Sequence, residues 1–286
     1  MEQKIIDLYD RYTHGGMSRR HFFDKLVAIA GSTAAATALL PILENNYAHA
    51  DTVAESDARV KGEMVTFKAS TQDVSGYLVT PAAAGKYPAV LVVHENRGLN
   101  PHTKDVARRF AVAGYTAMAV DFLSPIGGTP TDQDKAREMI GTLNAADVTT
   151  WAQGAVAYLR SNPASNGKVG AVGFCWGGGV IGRLAVAEPT LNAGVVFYGQ
   201  QPPAADVAKI QAPLLLNYAG TDERINAGIP AFEDALKKSG KDYTLYTYDG
   251  AQHAFLNDTN EARYNKAAAE LAWGRTLEFF KKHLAA

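Results

Sequence analysis

The stretch Gly173-Phe174-Cys175-Trp176-Gly177 constrains this chain more than any other. It follows the apolar run Val169-Gly170-Ala171-Val172 and precedes Gly178, Gly179 and a segment of helical pattern. A buried strand must therefore turn sharply into a helix at Cys175. Small residues flank the turn because strand and helix backbones approach closely there. Such an elbow holds its central residue in a strained conformation and lifts the side chain clear of the sheet. The helix N-terminus behind it favours negative charge, and so a thiolate. A G-x-C-x-G on its own fits a buried structural cysteine equally well, so the partners elsewhere in the chain decide.

The surrounding periodicity supplies a scaffold. Met64–Ala69 and Val74–Thr80 alternate as an opening antiparallel pair joined by a polar turn. Buried strands are expected at Ala89–Val93, Tyr115–Val120, Val169–Phe174, Ala193–Tyr198, Pro213–Tyr218 and Tyr243–Tyr248. Helical patterns lie at His102–Ala113, Asp147–Arg160, Trp176–Ala187 and Pro230–Ser239, with a last amphipathic helix over about Glu261–His283. This alternation predicts an α/β domain: a mostly parallel sheet with helices on both faces. Ser124–Asp134, rich in Gly, Pro and Thr, reads as a loop able to cap a pocket.

A cysteine nucleophile needs a base, and the base needs an orienting group. Asp222 follows the strand candidate Pro213–Tyr218, and His253 follows Tyr243–Tyr248. Both stand just past strand carboxyl ends, the edge that holds the active site in open parallel sheets. Taken singly, Asp222 is also a good turn or N-cap residue, and His253 a satisfied loop histidine. The chain order nucleophile, acid, histidine, with His283 the only other histidine after the elbow, selects Cys175, Asp222 and His253.

Several stretches then read together: Ser165-Asn166-Gly167-Lys168-Val169-Gly170 leading into the elbow, His94-Glu95-Asn96-Arg97-Gly98, Val196-Phe197-Tyr198-Gly199, and Gly250-Ala251-Gln252-His253-Ala254-Phe255. Over roughly residues 60–284 the chain resembles the dienelactone hydrolase (carboxymethylenebutenolidase) family of the α/β-hydrolase superfamily. The resemblance implies an α/β-hydrolase fold. It also implies Cys175 as nucleophile, His253 as base, Asp222 as orienter, and Glu95 as a carboxylate beside the thiol that helps generate the thiolate. The oxyanion hole would come from the backbone amides of Trp176 and Asn96. Tyr198 matches a tyrosine near the family's pocket.

The departures bear on the substrate. Members that cleave dienelactone carry an arginine in the pattern H-S-F-x-R, where this chain has Asn257. They carry another after a P-D-L-Y segment, where Val120-Asp121-Phe122-Leu123-Ser124-Pro125-Ile126 has none. These arginines clamp a substrate carboxylate, so their loss argues against dienelactone itself. Arg97 and Arg224, beside site residues, are candidates for a replacement charge. The expected activity is hydrolysis of a small ester or lactone through a thioester. The alternative is a relative of the same fold that binds a ligand or senses oxidants through Cys175 without turnover.

Residues 1–50 differ from the domain at 51–286. Ser18-Arg19-Arg20-His21-Phe22-Phe23-Asp24-Lys25 approximates a twin-arginine export motif. An Ala-rich apolar run spans Leu26–Leu43, and Ala48-His49-Ala50 offers a small-x-small cleavage site before Asp51. Export to the periplasm is the expectation, with no stable membrane span in the mature chain. The part before Met17 is long and acidic for such a leader, so the competing reading is an amphipathic helix packed on the domain. The 28 basic and 29 acidic residues nearly cancel, and no basic cluster interleaves with aromatics, which excludes a nucleic-acid partner. One cysteine permits no intrachain disulfide. No metal-ligand spacing and no nucleotide-binding loop stands out, so no cofactor is expected.

Overall fold

The computed structural model describes residues 1–15 and 17–285. Three helices open the chain: α1 (Gln3–Thr13), α2 (Arg19–Ala30) and α3 (Thr33–Leu43). There follow β1 (Val60–Ala69), β2 (Gln72–Pro81), β3 (Tyr87–Val93), α4 (Pro101–Val112), β4 (Thr116–Asp121), α5 (Gln133–Thr142) and α6 (Ala145–Ser161). The second half comprises β5 (Ser165–Phe174), α7 (Trp176–Ala187), β6 (Ala193–Phe197), β7 (Leu214–Ala219), α8 (Glu223–Asn226), α9 (Ile229–Lys238), β8 (Tyr243–Tyr248) and α10 (Lys266–Leu284).

The strands form one eight-stranded sheet in the order β1-β2-β4-β3-β5-β6-β7-β8. The β1/β2 and β2/β4 pairs are antiparallel, and every later neighbour is parallel. Successive side chains on a strand point to opposite faces. On β3, Val90 and Val92 therefore join the apolar layer under α4 and α10, while Ala89, Leu91 and Val93 join the layer under α6, α7 and α9. Burial on both faces is why these strands are continuous apolar runs. From β3 the chain winds one way to β4 and the other way to β5. The carboxyl ends of β3 and β5 thus flank the switch point where ligands bind in open α/β sheets, and they carry Glu95 and Cys175 into that crevice.

Two segments differ from the sequence expectation. Of Ser124–Asp134, Ser124–Ile126 makes a short 3-10 turn and the last two residues already belong to α5. Asp132 then caps α5, whose buried residues Ala136 and Ile140 are too few to mark a helix by periodicity. The last helix starts at Lys266 rather than near Glu261, because Asn265 accepts the Ala268 amide as its N-cap.

The first fifty residues pack onto the carboxyl edge of the sheet. Ile5, Leu8, Tyr9 and Tyr12 fall on one face of α1 at helical spacing. They gather with Phe22, Leu26, Ala36 and Leu43 into a separate apolar cluster. Ser18 and Ser32 cap α2 and α3, and α2 stops at Gly31, whose φ of 82° suits a glycine C-cap. The segment is bonded to the domain: Asn96 Nδ2 donates to Thr13 O at 2.7 Å, Arg137 to Tyr12 O at 2.7 Å, and Asn260 Nδ2 to Leu43 O at 2.6 Å. Arg19, the first of the two arginines, pairs with Asp134 at 2.6 Å. Among the described residues no single helix is long and apolar enough to cross a membrane. Helices α2 and α3 reach that only jointly, across a 114° bend.

Candidate active site

The elbow forms as the glycines require. Cys175 ends β5 and N-caps α7 at φ 54° and ψ −115°. A Cβ on Gly177 would lie 2.5 Å from the carbonyl oxygens of both Val93 and His94, and one on Gly173 would lie 2.2 Å from Gly177 O. Only glycine allows β3, β5 and α7 to meet this closely. Among the described residues, three of the four non-glycine residues with positive φ are Cys175, Tyr198 and Ala254, all at the carboxyl edge of the sheet. Backbone strain is thus concentrated around the thiol.

The fold brings His253 and Asp222 together across 31 residues: Nδ1 of His253 lies 2.5 Å from Asp222 Oδ2, and both side chains are buried. Oδ1 of Asp222 accepts the Ile225 amide at 3.2 Å, so one carboxylate both caps α8 and holds the ring. Burial alone would raise the Asp222 pKa, but the hydrogen bond and charge of His253 outweigh it and leave it lowered. Burial also disfavours charge on His253. The charge of Cys175 and the bond to Asp222 prevail over that, and over repulsion from His14, and raise the ring to about 9. Its Nε2 is buried without a hydrogen-bond partner among the described residues and lies within 4.8 Å of Cys175 Sγ.

Glu95 is buried just beyond β3. It accepts from Asn257 Nδ2 at 2.8 Å and from the Tyr198 hydroxyl at 3.4 Å. Burial, followed by the Glu95 and Cys175 charges, drives the Tyr198 pKa well above its ordinary value, so the phenol stays a donor. Asn257 thus fills the position expected for an arginine by anchoring Glu95 rather than by facing a ligand. The other candidate charges are engaged: Arg97 donates to Gln133 O at 3.2 Å and reaches Tyr9, whereas Arg224 stands 3.6 Å from Asp10. Trp176 opens α7, where the first amides of a helix have no partner inside it. Its ring stacks on His94, 5.2 Å between centroids. The Asn96 side chain is committed to Thr13, and Asn96, in the loop after β3, lines one small cavity with Cys175.

Three contributors escaped the sequence reading. His14 places Nε2 at 3.2 Å from Cys175 Sγ and its ring edge-on to His253, 4.5 Å between centroids. Asp10, one turn earlier on α1, stands behind it. Arg183, on α7, lines the cleft with its Nε unpartnered and has no ion-pair partner among the described residues. The signal for Arg183 was its spacing of two helical turns from the elbow. The signal for Asp10 and His14 was the acidic, amphipathic stretch ahead of the two arginines. The donor atoms of His14, Cys175 and His253 all lie within 4.8 Å of one another. A cleft of about 950 Å³ opens over these groups, walled by the domain on one side and by Tyr12–Gly15 and Met17–Arg19 on the other.

A mostly parallel sheet, a strained elbow residue at its switch point and an Asp–His pair beside it define the α/β-hydrolase class. The comparisons carry this to a family. The profile of the dienelactone hydrolase family matches residues 74–284, and the chain belongs to that family. A second profile, described as YqhI-like, matches residues 1–30. A Synechocystis protein provisionally named carboxymethylenebutenolidase is 31% identical over 243 residues, covering 79% of this chain and 98% of its own. A Methylorubrum extorquens protein of the same provisional name is 30% identical over 277 residues, covering 90% and 92%. That span exceeds everything after Ala50, so the match reaches into the N-terminal segment. A Klebsiella pneumoniae crystal structure, provisionally a dienelactone hydrolase, superposes with a TM-score of 0.71 at 24% identity, over 78% of this chain and 99% of its own. The chain is thus a hydrolase of an ester- and lactone-cleaving family.

Proposed function

We propose that this hydrolase cleaves a small carboxylic ester or lactone with Cys175 as nucleophile, His253 as acid–base and Asp222 as orienter. One observation carries the reading: the His253 ring, bonded through Nδ1 to Asp222, turns an unpartnered Nε2 toward the elbow thiol. Sγ attacks the acyl carbon as thiolate, and the carbonyl oxygen takes negative charge opposite the Trp176 and Asn96 amides. Protonated His253 gives its proton to the departing alkoxide, which leaves a thioester on Cys175. His253 then takes a proton from water, the hydroxide adds to the thioester, and the acid departs as the thiolate re-forms. Glu95, fixed by Asn257 and Tyr198, places a carboxylate beside this sequence of steps. Arg183, with no ion-pair partner among the described residues, is a cation available to an acidic group on the substrate.

The test is intact-mass spectrometry of the protein mixed with p-nitrophenyl acetate and a panel of lactones. An acyl adduct on Cys175 that decays with release of acid supports the reading. A stable adduct, or ready oxidation of Cys175 without turnover, favours the binding or sensing alternative. Full turnover by Cys175→Ala on every ester would sink the reading.

A further inference from the structure

The N-terminal segment carries a second imidazole to the thiol, its Nδ1 bonded to a backbone carbonyl where that of His253 is bonded to a carboxylate. His14 Nδ1 lies 2.9 Å from the carbonyl oxygen of Asp10 and 3.1 Å from its carboxylate. A ring whose Nδ1–H is committed to an acceptor presents Nε2 as a lone pair. That Nε2 is the nitrogen 3.2 Å from Cys175 Sγ, within reach for proton transfer from sulfur. Asp10 supplies the counter-charge: although burial would raise its pKa, the neighbouring His14, His253 and Arg224 hold it far below the usual carboxylate range. The groups facing His14 are Asp10 one turn earlier, with Arg224 behind it, Cys175 at the elbow, and His253 with Asp222 behind it, while Glu95, Arg97 and Arg263 line the same small cavity. His253 Nε2, by contrast, has no hydrogen-bond partner of good geometry among the described residues.

Resting on the hydrolase reading above, we propose that His14, backed by Asp10, is a second catalytic base that takes the Cys175 proton in the free enzyme. The S–H bond breaks, an N–H bond forms at His14 Nε2, and the new imidazolium is balanced by Asp10 and the thiolate. His253 is then left for the leaving group and the deacylating water. The working enzyme must therefore keep residues 1–50, because cleavage after Ala50 would discard the dyad.

The test compares full-length wild type with His14→Gln, Asp10→Asn and His253→Gln. Alkylation of Cys175 by iodoacetamide is followed by intact mass from pH 6 to 10, together with thiolate absorbance at 240 nm. A thiol of ordinary acidity is only a few per cent ionised at pH 7. His14→Gln should therefore slow alkylation at pH 7 by up to about 30-fold and regain the wild-type rate near pH 10. Asp10→Asn should fall between the two. His253→Gln should still alkylate but should stall as a stable acyl adduct with p-nitrophenyl acetate. Unchanged alkylation at pH 7 in a folded His14→Gln protein overturns the proposal. So does an equal slowing at every pH, which a merely structural role produces. So does an active enzyme isolated from cells with residues 1–50 removed. If alkylation follows the expected pattern but wild type acylates with no ester, the thiol–dyad coupling stands and the hydrolase reading fails.

Discussion

Replacing Asp222 with asparagine separates the two tasks this carboxylate performs. Asparagine is as good an N-cap as aspartate, so its amide oxygen can keep the Ile225 amide now held at 3.2 Å. Its amide nitrogen would take the place of Oδ2 and face His253 Nδ1, donor against donor. The neutral ring must then carry its proton on Nε2, which leaves no lone pair there to take a proton from the deacylating water. A charge-assisted hydrogen bond contributes about 1.5–3 kcal/mol, so Asp222→Asn should lower the melting temperature by about 3–12 °C in a chain of this size. The wrong tautomer should cost far more in rate, about 10⁴-fold in kcat, equivalent to about 5 kcal/mol of barrier. Asp222→Ala removes the cap as well and should melt lower still, by about another 1 kcal/mol of stability. Thermal melts and p-nitrophenyl acetate turnover on both variants check this. A folded Asp222→Asn enzyme within tenfold of wild type would refute the assignment of His253 as acid–base, and equal stability of the two variants would refute the double role.

The other expectations use the same measurements. Gly177→Ala puts a methyl 2.5 Å from two backbone oxygens that cannot move aside; it should cost at least about 1–3 kcal/mol and abolish turnover, and a melt and rate like wild type would contradict the packing argument. Arg183→Gln should raise KM for a carboxylate-bearing lactone by about 10- to 100-fold and leave p-nitrophenyl acetate untouched; an equal change on both substrates would remove Arg183 from recognition. His253 titrates at about 9 against its ordinary 6.5, so its charged form stabilises the fold fully below pH 6.5, and that contribution is lost as pH rises through 9. The melting temperature should fall over that window in wild type and less steeply in His253→Gln, and parallel slopes would count against the buried imidazolium.

The elbow, the strand–helix alternation and the strand-end positions of Asp222 and His253 were all legible in the chain, because each is written in a window of a few residues. Apolar runs buried on both faces, glycines where backbones touch, and a polar residue just past a strand need no knowledge of distant neighbours. The same local logic is silent wherever a residue's role depends on what packs against it. Asn257 read as a lost clamp, yet it holds Glu95 from 162 residues away. Arg97 read as a spare charge, yet Tyr9 and Gln133 engage it. Nothing in the residues around Arg183 says that a cleft opens over it. Residues 1–50 are the sharpest case. An arginine pair and an Ala-rich apolar run have one composition whether they lead a chain to export or pack as helices, since hydrophobicity does not say against what it will be buried. His14 meets Cys175 across 161 residues of chain, a contact no local pattern encodes. Closing that distance takes the helical segment, its apolar cluster and the carboxyl edge of the sheet together, so the thiol's second imidazole exists only in the folded molecule.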